Sequence, residues 1–247
     1  MTIDAPTREQ LPALKRLWQE AFGDGEDFVA LFFRTGFSFD RCRVAMDGGR
    51  VLGALYWFDC ACGSQRLAYL YAVGVFQAFR GRGVGRRLLE ATHGQLEALG
   101  YDGTVLCPAG EALFGYYAAM GYEVCARVDT LQCAAGSPVA LRPVTPKEYG
   151  MLRRSLLPKQ SVVQEGVTLE YMAGFLQLYA GDGFVLAAYQ KDGCLYGELL
   201  GDVAAAPGIV AALGCQKGSF RTPGTQTPFA MYRGKGAMPS YLGLDLS

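Results

Sequence analysis

The stretch that most constrains this chain is "LYAVGVFQAFRGRGVGRRLLEA", residues 70–91. An apolar, β-forming run ends in glycines alternating with arginines, and a segment of helical periodicity follows at once. A strand apolar on both faces belongs in the interior of a sheet. The start of the helix that leaves it offers unpaired backbone N–H groups and the positive end of the helix dipole. Glycines let that backbone approach a ligand closely and take positive φ, and Arg80, Arg82 and Arg86 add charge. These features together make a phosphate or pyrophosphate site. Neither G-x-x-x-x-G-K-[ST] nor G-x-G-x-x-G is present, because Gly81, Gly83 and Gly85 are spaced by two throughout.

The rest of the chain alternates between helical and strand patterns. Leu11, Leu14, Leu17, Trp18 and Phe22 recur at helical spacing behind Thr7, a candidate N-cap, and Gly23-Asp24-Gly25 stops them. A shorter helix is expected over 26–33. Strands are expected over 43–46 and 51–60, joined by Asp47-Gly48-Gly49, and over 67–76. Val84, Leu88, Leu89, Leu96 and Leu99 mark a helix ending at Gly100. A strand over 104–107 stops at Pro108, a helix over 112–120 stops at Gly121, and a strand covers 123–132. Ala134-Ala135-Gly136-Ser137-Pro138 is the best linker. Beyond it "LRPVTPKEYGMLRRSL" echoes "IDAPTREQLPALKRL": strand end, Thr-containing turn, Glu, helix. A helix over 169–179 and strands over 184–189, 194–200 and 241–246 complete the pattern. Two α/β domains are expected, residues 1–135 and 138–247, the second built on a plan like the first.

Composition excludes several classes. The chain has 247 residues, 23 basic and 23 acidic, with zero formal net charge. A general nucleic-acid or anionic-membrane binder would carry a basic excess. No run approaches the ~18 apolar residues of a membrane span, and the N-terminus lacks a signal-peptide pattern, so a cytoplasmic protein is expected. Eight cysteines form no CxxC pair, and with a single histidine a zinc site or other metal centre is not expected. A scheme that needs a histidine must use His93, which falls beside polar residues off the leucine face and reads as surface.

The junction resembles the pyrophosphate loop of the GNAT superfamily of N-acetyltransferases, R/Q-x-x-G-x-G/A, with Arg80, Gly83 and Gly85 filling the pattern. Upstream, Val73-Gly74-Val75 resembles the strand end that pairs with the pantetheine arm of coenzyme A. Downstream, "CPAGEALFGYYAAMGYE" resembles the family's second motif, ending in Tyr-x-x-x-Gly-aromatic at Tyr117, Gly121 and Tyr122. The similarity covers roughly residues 1–133. Many members carry an Asn seven residues before the tyrosine, where this chain has Gly110. Pro-Ala-Gly at 108–110 is closer to the enhanced-intracellular-survival branch, whose members are larger than one domain. The resemblance implies a mixed central sheet flanked by helices, with a second, smaller GNAT-like domain. It implies acetyl-CoA as cosubstrate, held by Val73, Val75, Arg80, Gly81, Arg82, Gly83, Val84, Gly85 and Arg86. It also implies Tyr117 as general acid toward the coenzyme A sulfur. Neighbouring Tyr116 lies on a different helical face and reads as packing.

The implied reaction is acyl transfer to a primary amine of a small molecule or peptide. An alkyl amine with pKa ~10.4 is almost wholly protonated at pH 7. Its deprotonation costs about 4–5 kcal/mol unless a base or desolvation helps. Glu26, Asp27, Asp59, Glu111 and the terminal carboxylate of Ser247 are the base candidates. Phe22, Phe28, Phe32 and Phe33, with Asp24, Glu26 and Asp27, suit a cationic acceptor carrying apolar bulk. Residues 138–247 hold nothing like R-x-x-G-x-G. That domain is left to cover the first, to complete the acceptor pocket or to mediate a homodimer. The alternative from another class is a non-catalytic acyl-CoA-binding or interaction module, against which the retained Tyr117 counts.

Overall fold

A computed structural model of the chain describes residues 1–245. The carboxylate of Ser247 and the last position of the strand expected over 241–246 lie outside the described residues. The chain divides into two compact units, neither contiguous. The first comprises Met1–Leu106, Gly110–Glu123 and Tyr232–Gly236, and the second takes the remainder.

In the first unit β1 (Thr2–Asp4) leads into α1 (Leu11–Phe22) and α2 (Glu26–Leu31). A meander follows, β2 (Cys42–Asp47), β3 (Arg50–Cys62) and β4 (Gln65–Val75), then α3 (Val84–Ala98), β5 (Gly103–Leu106) and α4 (Glu111–Ala118). The strands lie in the order β1-β2-β3-β4-β5, antiparallel except for the parallel β4–β5 pair joined through α3. Alternation along β3 sends Tyr56 and Phe58 to one face and Leu55 and Trp57 to the other. Trp18 of α1 packs on the first face, its ring 5.5 Å from both Tyr56 and Tyr71. On the second face Arg43 lies 5.0 Å over the Trp57 ring and hydrogen-bonds Gln95 of α3, whose Leu88, Leu89 and Leu96 are buried.

The remaining elements are β6 (Glu123–Ala134), β7 (Leu141–Pro143), α5 (Pro146–Leu156), β8 (Val163–Gln164), α6 (Val167–Met172), β9 (Gln177–Gly181), β10 (Phe184–Lys191), β11 (Cys194–Gly201), α7 (Ala206–Ala212), β12 (Lys217–Pro223) and β13 (Thr227–Gly234); they belong to the second unit except Glu123 of β6 and Tyr232–Gly234 of β13, which belong to the first. The order β7-β9-β10-β11-β12, with β11 and β12 parallel through α7, repeats that of the first unit strand for strand. The echo between "IDAPTREQLPALKRL" and "LRPVTPKEYGMLRRSL" marks the same place in each copy. Thr7 N–H bonds the Gln10 side chain (3.0 Å) ahead of α1, and Thr145 Oγ1 accepts from Glu148 N–H (3.2 Å) to cap α5.

One face of this second sheet packs Leu186, Leu195, Leu199 and Phe220 against Ile209 and Val210 of α7. The other buries a charged pair. The side chains of Arg153 and Glu198 are 1% and 0% exposed. Glu198 accepts from Arg153 Nε (2.8 Å) and Nη2 (2.9 Å), Tyr241 Oη (2.9 Å) and Tyr149 Oη (3.3 Å). Four donors satisfy both carboxylate oxygens, the condition under which a buried charge is tolerated.

Two expected elements differ. The helix expected over 169–179 is α6 followed by β9, because Gly174 interrupts it and Leu178 and Ala180 then alternate into the core. Instead of a strand after 240, Tyr241 makes one isolated bridge to Ser161. Four elements, β8, α7, β12 and β13, lie where no pattern predicts one. None of the described helices is long and apolar enough to cross a membrane, and none of the eight cysteines is in a disulfide.

Candidate active site

The site begins with an irregularity in β4. Pairing with β3 runs Ala54↔Gly74 and then Tyr56↔Tyr71, so Ala72 and Val73 together oppose Leu55. This is a β-bulge, and Ala72 takes the left-handed conformation, φ +48°, at a cost of about 1 kcal/mol. On its other side β4 pairs with β5 only at Leu67, Ala68 and Tyr69. Beyond them β4 continues to Val75 while β5 ends at Leu106. The edge of β4 that carries Val73 and Val75 therefore turns away from β5 and has no strand partner among the described residues. Arg80 Nε closes one of its acceptors, donating to Val75 O at 2.9 Å.

The chain then enters the glycine-arginine loop. Gly81 and Gly83 are left-handed, φ +73° and +74°. A Cβ at either would meet nothing, so backbone conformation rather than space requires glycine there. The first intrahelical bond of α3 runs from Arg87 N–H to Gly83 O (3.1 Å), leaving the N–H groups of Val84, Gly85 and Arg86 without intrahelical acceptors. Arg80, Arg82, Arg86 and Arg87 are exposed around them. At Gly85 the constraint is contact: a Cβ would lie 3.0 Å from Tyr116 Oη and 3.5 Å from Val75 Cγ2.

Tyr116 was expected to pack on a different helical face. Instead its ring is 40% exposed and its hydroxyl reaches the start of α3. No pattern in the sequence signals this, since the loop and α4 meet only in three dimensions. Tyr117 is 8% exposed, its ring 5.6 Å from that of Tyr122. Burial first, and Tyr116 second, push its phenol up to about 12, so it is protonated at neutral pH. Its hydroxyl makes no hydrogen bond among the described residues.

The base candidates separate. Asp59 pairs with Ala68 at the far end of β4, about 17 Å along the strand from Val73 at ~3.3 Å per residue. Its carboxylate is held by Arg41 (3.2 Å), Arg66 (3.5 Å) and Tyr101, so it is a structural acid removed from the cleft. Asp24 accepts from Trp18 Nε1 at 2.7 Å. Glu26 and Asp27 sit exposed in the first turn of α2, and Glu111 in that of α4.

The aromatic residues separate too. Phe32, Tyr56 and Phe58 are core. Phe22 is 43% exposed and stands over β4, its ring 3.5 Å from where a Gly74 Cβ would lie. His93, expected at the surface, is instead half-buried and bonded to Tyr122 Oη at 2.7 Å. Among the described residues no group of three or more His, Cys, Asp or Glu is placed to hold a metal ion.

An open strand edge running into helix-start N–H donors, left-handed glycines and exposed arginines suits an extended thioester arm ending in a pyrophosphate. Comparisons with known proteins agree with this architecture. Three solved structures share the fold: GCN5-related N-acetyltransferases from Kribbella flavida (19% identity, TM-score 0.69, 94% of this chain and 70% of that one) and Anabaena variabilis (16%, 0.72, 94% and 72%), and Eis1 from Mycobacterium abscessus (12%, 0.66, 90% and 66%). No protein with a curated description matches. The family model for the acetyltransferase (GNAT) domain matches residues 2–125, just over half of the chain and nearly all of the strands and helices around the loop, and on that match the protein belongs to the GNAT acetyltransferases.

Proposed function

We propose that this protein moves an acetyl group from acetyl-CoA to a primary amine. The observation that carries this is the continuous path from the edge of β4 at Val73 and Val75, which no described strand covers, into the donors of Gly81 to Arg86. The β4 edge would pair with the pantetheine amides. The N–H groups of Val84 to Arg86, with Arg80 and Arg82, would hold the pyrophosphate. The cosubstrate supplies an acetyl group activated as a thioester. In the transfer an N–C bond forms, the C–S bond breaks, the amine gives up a proton and a free thiol departs.

Tyr117 serves the departing sulfur. A phenol near 12 does not surrender its proton outright to a thiolate of pKa ~8.5. It donates a strong hydrogen bond to the charge as it develops, and the amine's proton completes the thiol. Exposed Phe22 beside Gly74 and the acids Glu26 and Asp27 point to a cationic acceptor with apolar bulk. Residues from 138 onward, built on the same strand order without a glycine-arginine junction, form a domain that binds no coenzyme A.

The test is thiol release from acetyl-CoA across a panel of polyamines, arylalkylamines, neutral amines and lysine peptides, with acetylated product identified by mass. Turnover on a cationic, apolar amine is the expected result. Coenzyme A binding by calorimetry with no turnover on any amine would leave a binding module instead.

A further inference from the structure

Four residues close a hydrogen-bonded ring in the first unit. Arg233 Nη1 contacts His93 Nδ1, His93 Nε2 lies 2.7 Å from Tyr122 Oη, and Tyr122 Oη lies 2.8 Å from Thr104 Oγ1. Thr104 Oγ1 in turn faces Arg233 O at 3.5 Å. The direction of every bond follows from one fact. A guanidinium only donates, so Nδ1 accepts and the proton sits on Nε2, which donates to Tyr122. The Tyr122 hydroxyl then donates to Thr104, and the Thr104 hydroxyl points at the Arg233 carbonyl. Burial and the adjacent guanidinium hold the imidazole down to about 3, so it stays neutral and the ring of bonds does not titrate near neutral pH.

The ring joins four elements. His93 belongs to α3, about 10 Å along the helix from Arg86. Thr104 belongs to β5, Arg233 to β13, and Tyr122 follows α4 through left-handed Gly121, φ +82°. Arg233 Nε passes 3.6 Å from where a Gly121 Cβ would lie, and Gly103 admits the backbone of Arg233 and Gly234 where a side chain would clash. Tyr122 is 2% exposed and touches Tyr117 twice. Its N–H donates to Tyr117 O at 3.2 Å, and its ring meets the Tyr117 ring at 68°.

We propose that His93 is a positioning residue for Tyr117: by fixing the hydroxyl of Tyr122 it sets the ring against which Tyr117 is aimed. This rests on Tyr117 serving the departing sulfur. An error of ~1 Å in such a group can cost about a hundredfold in rate, so partial loss of the anchor is expected to cost about tenfold. His93 lines an open cavity of about 420 Å³, which leaves room for other side chains.

The experiment compares His93→Leu, His93→Gln and Tyr122→Phe, alone and combined with Tyr117→Phe. Turnover is followed by thiol release from acetyl-CoA with the best amine of the panel. In parallel, 19F spectra of fluorotyrosine-labelled protein are recorded, with the Tyr117 resonance assigned by its loss in Tyr117→Phe. His93→Leu and Tyr122→Phe should each lower kcat about tenfold, with KM for acetyl-CoA within twofold. His93→Gln, which keeps an N–H donor, should restore most of the rate. In the Tyr117→Phe background neither change should have further effect. The Tyr117 resonance should shift in His93→Leu and return in His93→Gln. An unchanged kcat and resonance in His93→Leu, or a further tenfold loss in the Tyr117→Phe background, would overturn the proposal. If Tyr117→Phe itself keeps full rate, the catalytic reading of Tyr117 fails, while the fluorine shift still decides whether His93 positions that ring.

Discussion

Replacing Tyr117 with phenylalanine removes one oxygen and nothing else. The ring contact with Tyr122 survives, and since the hydroxyl has no protein partner among the described residues, no buried group is orphaned. Stability should change by less than about 0.5 kcal/mol, and coenzyme A affinity by less than twofold. The loss should fall on kcat. A hydrogen bond to a charged group is worth about 1.5–3 kcal/mol, which is about 10- to 150-fold in rate. The pH profile sharpens the test. Tyr117 is protonated below about 12 and loses its proton only as pH rises through that value. Between about pH 6 and 9 the rate should therefore rise with the neutral fraction of an amine of pKa ~10.4 and show no falling limb. The profile of Tyr117→Phe should run parallel and lower. Calorimetry with coenzyme A, thermal unfolding and thiol release over that range are the assays. A kcat within threefold of the native value, or a descending limb in that range that vanishes with the hydroxyl, would refute this account.

At the loop, Gly83→Val forces a branched side chain into left-handed backbone. It should weaken coenzyme A binding by about 5- to 30-fold, from a conformational cost of about 1–2 kcal/mol, whereas Gly83→Asn should lose much less; unchanged affinity in folded Gly83→Val would remove the loop from the cofactor site. In the second unit, Arg153→Met strands the buried Glu198 carboxylate and should cost about 3–5 kcal/mol, a fall of roughly 6–20 °C in Tm. The double variant Arg153→Met/Glu198→Leu should recover part of that loss, and strictly additive losses by calorimetry would show the pair to be uncoupled. On the acceptor side, Phe22→Ala should raise KM several-fold for an arylalkylamine. KM for a cationic acceptor should rise with ionic strength while that for an uncharged one stays flat, and a salt-insensitive cationic KM would leave Glu26 and Asp27 as ordinary surface.

The strand, glycine and helix junction is legible in the sequence because its physics is local. Left-handed turns, helix-start donors and arginines all fall within seven residues, 80–86. The meander before it and the Thr-capped start of each unit are legible for the same reason. His93 shows where legibility ends. Its helical phase puts it off the leucine face, yet Arg233, 140 residues away in sequence, covers it. Tyr116 is misread in the same way, because the contact with Gly85 is made across a turn of the fold and not along the chain. Asp59 reads as an acid free to act until β3–β4 pairing places it among Arg41, Arg66 and Tyr101. Strand β12, "KGSFRTP", carries one large apolar residue, so its place in the sheet is set by its neighbours and not by its own pattern.

The first unit draws Tyr232–Gly236 from near the other end of the chain, and that sets a timetable for its assembly. When synthesis has passed residue 123, the loop, the β4 bulge and Tyr117 all exist, but β5 still lacks the segment that lies over Gly103. At about 5–20 residues per second, roughly 5–20 s pass before that segment emerges. Through this interval the nascent protein carries an uncovered strand edge, the template for pairing with the wrong chain. Contacts so far apart in sequence also close slowly. The unit that holds the loop thus waits on a segment made more than a hundred residues later for its completion.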